Sequence, residues 1–333
     1  MEPIATYNLE TIYAKLKPLG IDKRFIRDVL LPDWWSDEIL SSKAGFLQTV
    51  SIIAKNLSVK LSDLLDPVEG RLLQPSVTVR FKSRSDEVSG QLFPYAVASK
   101  LSKLLTASYN TPFNSVLDSA PELRRKLFES RSLLNLENLI DFLWSLGVPV
   151  IYVSEIPATG QKFDGMTFRI SNNPNIVVSS KRTQDAWYLF ILAHELGHIA
   201  LGHLNGDGNG IIDSNIEANN NDEEQKANDF AIRLLLEDPN NLPSFKLNGS
   251  PYDVVNKIFP LAKKLKVDAG SLALMIAYRD NSFAVASKAI NIINPQPNAP
   301  KLIKMKMKEH LKLDKLTEED REFFERITGL NGD

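Results

Sequence analysis

The 333-residue chain contains no cysteine. That absence excludes disulfides, thiolate metal ligands and cysteine nucleophiles, so any bound metal must rely on nitrogen and oxygen. Histidine is scarce. Four occur, and three of them (His194, His198 and His203) fall within ten positions. No stretch approaches 18 uninterrupted apolar residues, and the N-terminus lacks a leader pattern. Both features predict a cytoplasmic protein that does not engage a membrane. There is no obvious internal repeat. At 43% hydrophobic and 24% charged residues the chain is globular, and its length predicts two or three domains.

What is present concentrates on one segment. Residues 183–203 are free of proline and rich in helix formers, with apolar side chains on nearly every side, which predicts a central, buried helix capped by Thr183 or Asp185. Within it, His194-Glu195-Leu196-Gly197-His198 puts two imidazoles at i and i+4, one above the other on one face. Such a pair can hold one Zn²⁺ through neutral nitrogens. Glu195 lies beside that position, where it can take a proton from water as the catalytic base. A chance His-x-x-x-His on a packed helix is the bland alternative, but buried imidazoles need partners.

A zinc hydrolase needs a third protein ligand and an open fourth position. His203 is nearest, nine residues after His194. Nine steps of about 100° carry it to the far side of a continuous helix. The metzincin spacing is ten, so His203 reads as a helix-end or surface histidine. Glu224 is the better candidate. Residues 222–236 form an amphipathic helix with Ala227, Phe230, Ala231, Leu234 and Leu235 on one stripe, and Glu224 lies on that inward face. Asn228, one turn on, can orient a ligand from behind. Alternatively, the acids at 222–224 serve only the helix dipole.

Taken together, His194 to His198, Glu224-x-x-Ala227-Asn228-x-Phe230-Ala231 and Leu234-Leu235 resemble the ImmA/IrrE family of metallopeptidases. Upstream, Gly147 to Val153, Asp164-Gly165 and Asn175 to Val178 resemble the strand segments that precede that family's zinc helix. Downstream, Leu261 to Asp268 with Ser271-Leu272-Ala273 resembles its small helix-turn-helix-like appendage. The similarity covers about 135–280. One departure is Leu236-Glu237-Asp238-Pro239, where the family usually has Met-Pro. The resemblance implies a cytoplasmic zinc protease whose substrate is typically a helix-turn-helix repressor. An oxyanion donor is expected but not identifiable from the sequence: Lys181, Arg182 and Tyr188 are nearby, and each has a ready surface or core explanation.

The remaining segments carry weaker signals. Residues 1–70 predict a helical domain with helices near 8–18, 22–30, 36–56 and 59–65. Its 44–65 stretch weakly resembles a Cro/C1-type helix-turn-helix. DNA binding through 1–70 is therefore an expectation, although eight Lys/Arg against ten Asp/Glu provide no basic face. Trp34-Trp35 suits either a protein-binding anchor or core packing, the second being favoured. Residues 71–134 form a helical connector, extended near 75–84, with helices at 94–108 and 121–135. The peptidase domain is placed at 135–245, the appendage at 246–293, and a charged tail with a helix at 294–333. In that tail, six Lys within 301–315 precede an acidic helix at 318–328 capped by Thr317 and Asp320; pairing of the basic stretch with that helix or with a partner chain is expected over contact with nucleic acid. Residues 205–217 resemble an EF-hand loop lacking the acid at position 12, since Ile216 stands there, so specific Ca²⁺ binding is disfavoured.

The sequence thus predicts an α+β, predominantly helical chain: a zincin-like metallopeptidase domain with a small β-sheet between helical N- and C-terminal modules. The expected cofactor is Zn²⁺, held by His194, His198 and Glu224. The expected partner is a protein substrate, either a helix-turn-helix repressor or a co-encoded protein. The alternative is a DNA-binding regulator or antitoxin-like protein in which zinc is regulatory or vestigial.

Overall fold

A computed structural model describes residues 8–66, 88–113, 117–156, 163–180, 182–204, 210–213 and 222–331. The fold is α+β and mainly helical, with one small mixed sheet. It divides into two compact units. One comprises the described parts of 1–110, 153–162 and 310–333, the other those of 111–152 and 163–309. No helix among the described residues is long and apolar enough to cross a membrane.

The first unit holds α1 (Glu10–Leu16), α2 (Lys23–Phe25) running into a π-helical turn at Ile26–Leu30, α3 (Lys43–Asn56), α4 (Leu61–Leu65), α5 (Val88–Ser108) and α14 (Glu318–Thr328). The helix expected over 36–56 is two pieces. Ser42 is extended and caps α3 by accepting from Gly45 N at 3.1 Å, so the preceding residues Asp37–Ser41 close as a separate 3₁₀ turn. The helix expected from Pro94 starts six residues earlier, at Val88, with Pro94 inside it. Of the two tryptophans, Trp34 is exposed, whereas Trp35 donates to Thr49 Oγ1 at 2.9 Å. The extended stretch expected near 75–84 lies outside the described residues.

Thr317 caps α14 as expected, accepting from Asp320 N at 3.3 Å. Asp320 in turn faces Lys55 at 3.0 Å and the buried Lys100 at 3.4 Å. Burial lowers the Lys100 pKa to about 8. The expected pairing of the basic stretch 301–315 with the acidic helix is not what Lys306 makes. Its ammonium lies 2.9 Å from Asp141. Asp141 is an acid on α7 that also takes Arg131 at 3.1 Å.

The second unit holds α6 (Ala120–Ser130), α7 (Leu136–Ser145), β1 (Val150–Tyr152), β2 (Gly165–Ile170), β3 (Asn173–Val178), α8 (Asp185–Ala200), β4 (Gly210–Asp213), α9 (Asp222–Leu236), α10 (Pro251–Leu265), α11 (Ala269–Asp280), α12 (Phe283–Ile293) and α13 (Ala299–His310). Sheet order is β1-β3-β2-β4. β1 runs parallel to β3, and the other two pairings are antiparallel. The β2–β3 turn has positive φ at both Ser171 and Asn172, the requirement of a two-residue hairpin turn that follows strand twist.

Every residue of α8 from Ala186 to Ile199 is buried, which explains why its sequence shows no polar face. Neither expected cap forms. Asp185 instead accepts from Asn294 Nδ2 at 3.1 Å, pinning the segment before α13. α9 packs lengthwise on α8 through the predicted stripe, with Ala227, Ala231, Leu234 and Leu235 fully buried. Arg124 of α6 ties down the far ends of two helices: it donates to Leu234 O at 3.0 Å, Leu235 O at 2.6 Å and Leu265 O at 2.6 Å. These are C-terminal carbonyls with no helical partner, and a cation there also opposes the helix dipole. Of the 205–217 segment, residues 210–213 form β4 and the rest lies outside the described residues.

Candidate metal centre

The packing of α8 against α9 decides the geometry. At Gly197 a Cβ would sit 3.1 Å from Ala227 O and 3.2 Å from both Ala227 Cα and Phe230 Cβ. A glycine costs a helix about 1 kcal/mol relative to alanine. Here it lets the helices approach until the first turn of α9 reaches the histidine face of α8.

His194, His198 and Glu224 meet in that contact, each essentially fully buried. The Nε2 atoms of the two histidines are 3.0 Å apart. Glu224 Oε2 lies 3.3 Å from His194 Nε2 and 3.4 Å from His198 Nε2. Ligands on a tetrahedral Zn²⁺ with bonds of about 2.0–2.1 Å are separated by about 3.3 Å, so the triangle has the dimensions of three corners of such a site.

The donor set points the same way. Asn228 Oδ1 is 2.9 Å from His194 Nδ1, so that nitrogen donates and Nε2 presents a lone pair. His198 Nδ1 lies 2.8 Å from His203 Nδ1. When His198 donates there, its Nε2 also presents a lone pair. Two lone pairs and a carboxylate oxygen then converge in a buried space, which is costly unless a cation lies among them. A shared proton relieves one edge of the triangle, whereas a divalent ion relieves all three. The residues present therefore fit a metal.

Glu195 is also fully buried, on the side of α8 that faces β2. Its Oε2 accepts a hydrogen bond from Thr167 Oγ1. A Cβ at Gly165 would fall 2.2 Å from Glu195 Oε1 and 2.8 Å from its Cγ and Cδ. The carboxylate thus occupies the space that a side chain at 165 would fill. This placement was partly readable: a glycine opening a strand marks a site of close approach. Nothing in the sequence identified Thr167.

His203 lies at the helix end, as read, and outside the three converging donors, but its placement on the far side of α8 is corrected. It assumed helix through residue 203, but α8 ends at Ala200. Gly202 takes φ +70°, with its N–H on Ile199 O at 3.2 Å, and His203 N–H returns to His198 O at 3.0 Å. This is the Schellman closure, with glycine where a left-handed residue is required. It folds His203 back over His198, with ring centroids 5.0 Å apart.

Of the residues near the motif in sequence, two have other engagements among the described residues. Tyr188 is buried with its hydroxyl on Ser180 O at 3.1 Å, and the Arg182 guanidinium stacks 3.5 Å above the Trp187 ring. Lys181 lies outside the described residues.

A buried helix carrying His-Glu-x-x-His, a carboxylate from the next helix and a small mixed sheet alongside define a metallopeptidase-type domain of zincin-like architecture. Residues 147–277, from just before β1 into α11, match the family model of the IrrE N-terminal-like domain, Peptidase_M78. The matched segment spans the sheet, both site helices and α10. No curated protein matches the chain.

Proposed function

We propose that the chain is a zinc-dependent endopeptidase that cleaves a protein partner, specifically a helix-turn-helix repressor or a co-encoded protein. The observation that carries this reading is the buried triangle of His194 Nε2, His198 Nε2 and Glu224 Oε2, with the Glu195 carboxylate fixed one residue away. Zn²⁺ held by those three residues supplies a Lewis acid that acidifies water and polarises a carbonyl. The protein's residues do the rest. Asn228 and His203 hold the two rings by their distal nitrogens. Glu195, held against β2 by Thr167 and the cleared space at Gly165, accepts the proton of the attacking water and returns it to the departing amine.

The Glu195→Gln variant tests this role. It keeps the shape and the zinc, and cleavage of the co-encoded protein falls by at least about 10²-fold. Wild-type cleavage by the variant removes Glu195 from the mechanism.

The DNA-binding alternative draws less support. The weak helix-turn-helix resemblance lies on α3, a turn with Ser58 at φ +55°, and α4. α4 has five residues, and its exposed positions are Leu61, Ser62 and Leu65, none of them cationic. The exposed cations of that segment are Lys43, Lys55 and Lys60, and Lys55 is already 3.0 Å from Asp320, a thin basis for the phosphate neutralisation that dominates DNA affinity.

A further inference from the structure

We infer that His203 is a positioning residue for His198, fixing its tautomer and ring orientation so that Nε2 is presented to the metal. The inference rests on the metal-centre reading above. The two Nδ1 atoms are 2.8 Å apart, a distance that requires one of them to donate. The ring planes are inclined at 64°, which excludes a parallel stack. The backbone enforces the approach, because the closure through Gly202 returns His203 N–H to His198 O. His194 is treated in the same manner by Asn228. Both rings of the pair are therefore gripped at the nitrogen remote from the metal, one by an amide oxygen and the other by a third imidazole.

A histidine ligand's distal N–H is normally given to a carboxylate, a carbonyl or water, and removing that partner costs about 10–100-fold in metal affinity. A neutral imidazole acceptor accomplishes the same fixation without adding a charge. His203 is half-buried and not one of the three converging donors.

The test uses the full chain and Zn²⁺ alone. Affinity is measured by competition with a chromophoric chelator, and Co²⁺ absorption provides a second readout. His203→Leu removes the acceptor. His203→Asn restores one, since Asn Oδ1 stands close to where Nδ1 was. The expected result is zinc binding weakened about 10–100-fold in His203→Leu, with an altered Co²⁺ spectrum, and recovery of both to within about threefold in His203→Asn. Metal-free melting temperatures are the same in all three. Equal affinity in wild type and His203→Leu overturns the inference, as does equal weakening in both variants, which marks a packing role. If the wild type binds no zinc, or binds it undiminished after His194→Ala, the metal-centre reading fails and the inference falls with it.

Discussion

Replacing Gly165 by alanine isolates the placement of Glu195 from the presence of the metal. The added Cβ would lie 2.2 Å from Glu195 Oε1. Carbon and oxygen atoms in contact settle at about 3.5 Å, so the carboxylate must retreat by more than about 1 Å. Retreat breaks an existing contact inside the protein, since the residue is fully buried and Oε2 is held by Thr167. A displacement of about 1 Å in a reacting group costs about 10²-fold in rate. The overpacking itself costs about 1–3 kcal/mol of stability, which the melting temperature reports separately. Zinc affinity stays near wild type, because His194, His198 and Glu224 lie on the α8–α9 contact and not on β2. The assay is initial-rate cleavage of the partner by zinc-loaded, folded Gly165→Ala, beside direct zinc titration. Turnover at the wild-type rate would falsify the placement, and loss of zinc together with rate would show that β2 supports the metal ligands rather than the base.

Two further outcomes follow from the same structure. Asn228→Leu removes the acceptor on His194 Nδ1 and weakens zinc binding by about 10–100-fold, read by chelator competition; undiminished affinity shows that Asn228 does not orient the ring. Lys100 titrates at about 8 in the fold against 10.5 in the unfolded chain, so between those values the unfolded chain binds more protons and stability rises with pH. In Lys100→Met that rise disappears, and denaturant titrations from pH 7.5 to 10.5 with identical slopes in both proteins refute the assignment.

Much of the site was readable because it obeys helical periodicity. The i, i+4 pair at His194 and His198 and the apolar stripe that put Glu224 and Asn228 inward both depend only on 3.6-residue repetition within one helix. Bringing the two helices together depends on Gly197, whose role is a clearance of about 3 Å from a residue 30 positions away, and no local pattern carries that. Thr167 was silent for the same reason: it acts across a strand–helix contact. His203 was misplaced because regular rotation was continued past a helix end that Gly202 had marked. The contact of Asp185 with Asn294 in place of a helix cap and the pairing of Lys306 with Asp141 are tertiary outcomes in which a polar group finds a partner far away in sequence. Arg124 likewise looks like any surface arginine until three helix-end carbonyls arrive around it.

The central claim is that His194, His198 and Glu224 together hold one zinc ion. Metal analysis of the purified full chain after zinc loading and removal of excess, beside Glu224→Ala prepared identically, tests it most directly. The account predicts one zinc per wild-type chain and none retained by Glu224→Ala at the same free-metal concentration. A wild-type chain that retains no zinc, or a Glu224→Ala variant that retains as much as wild type, contradicts it.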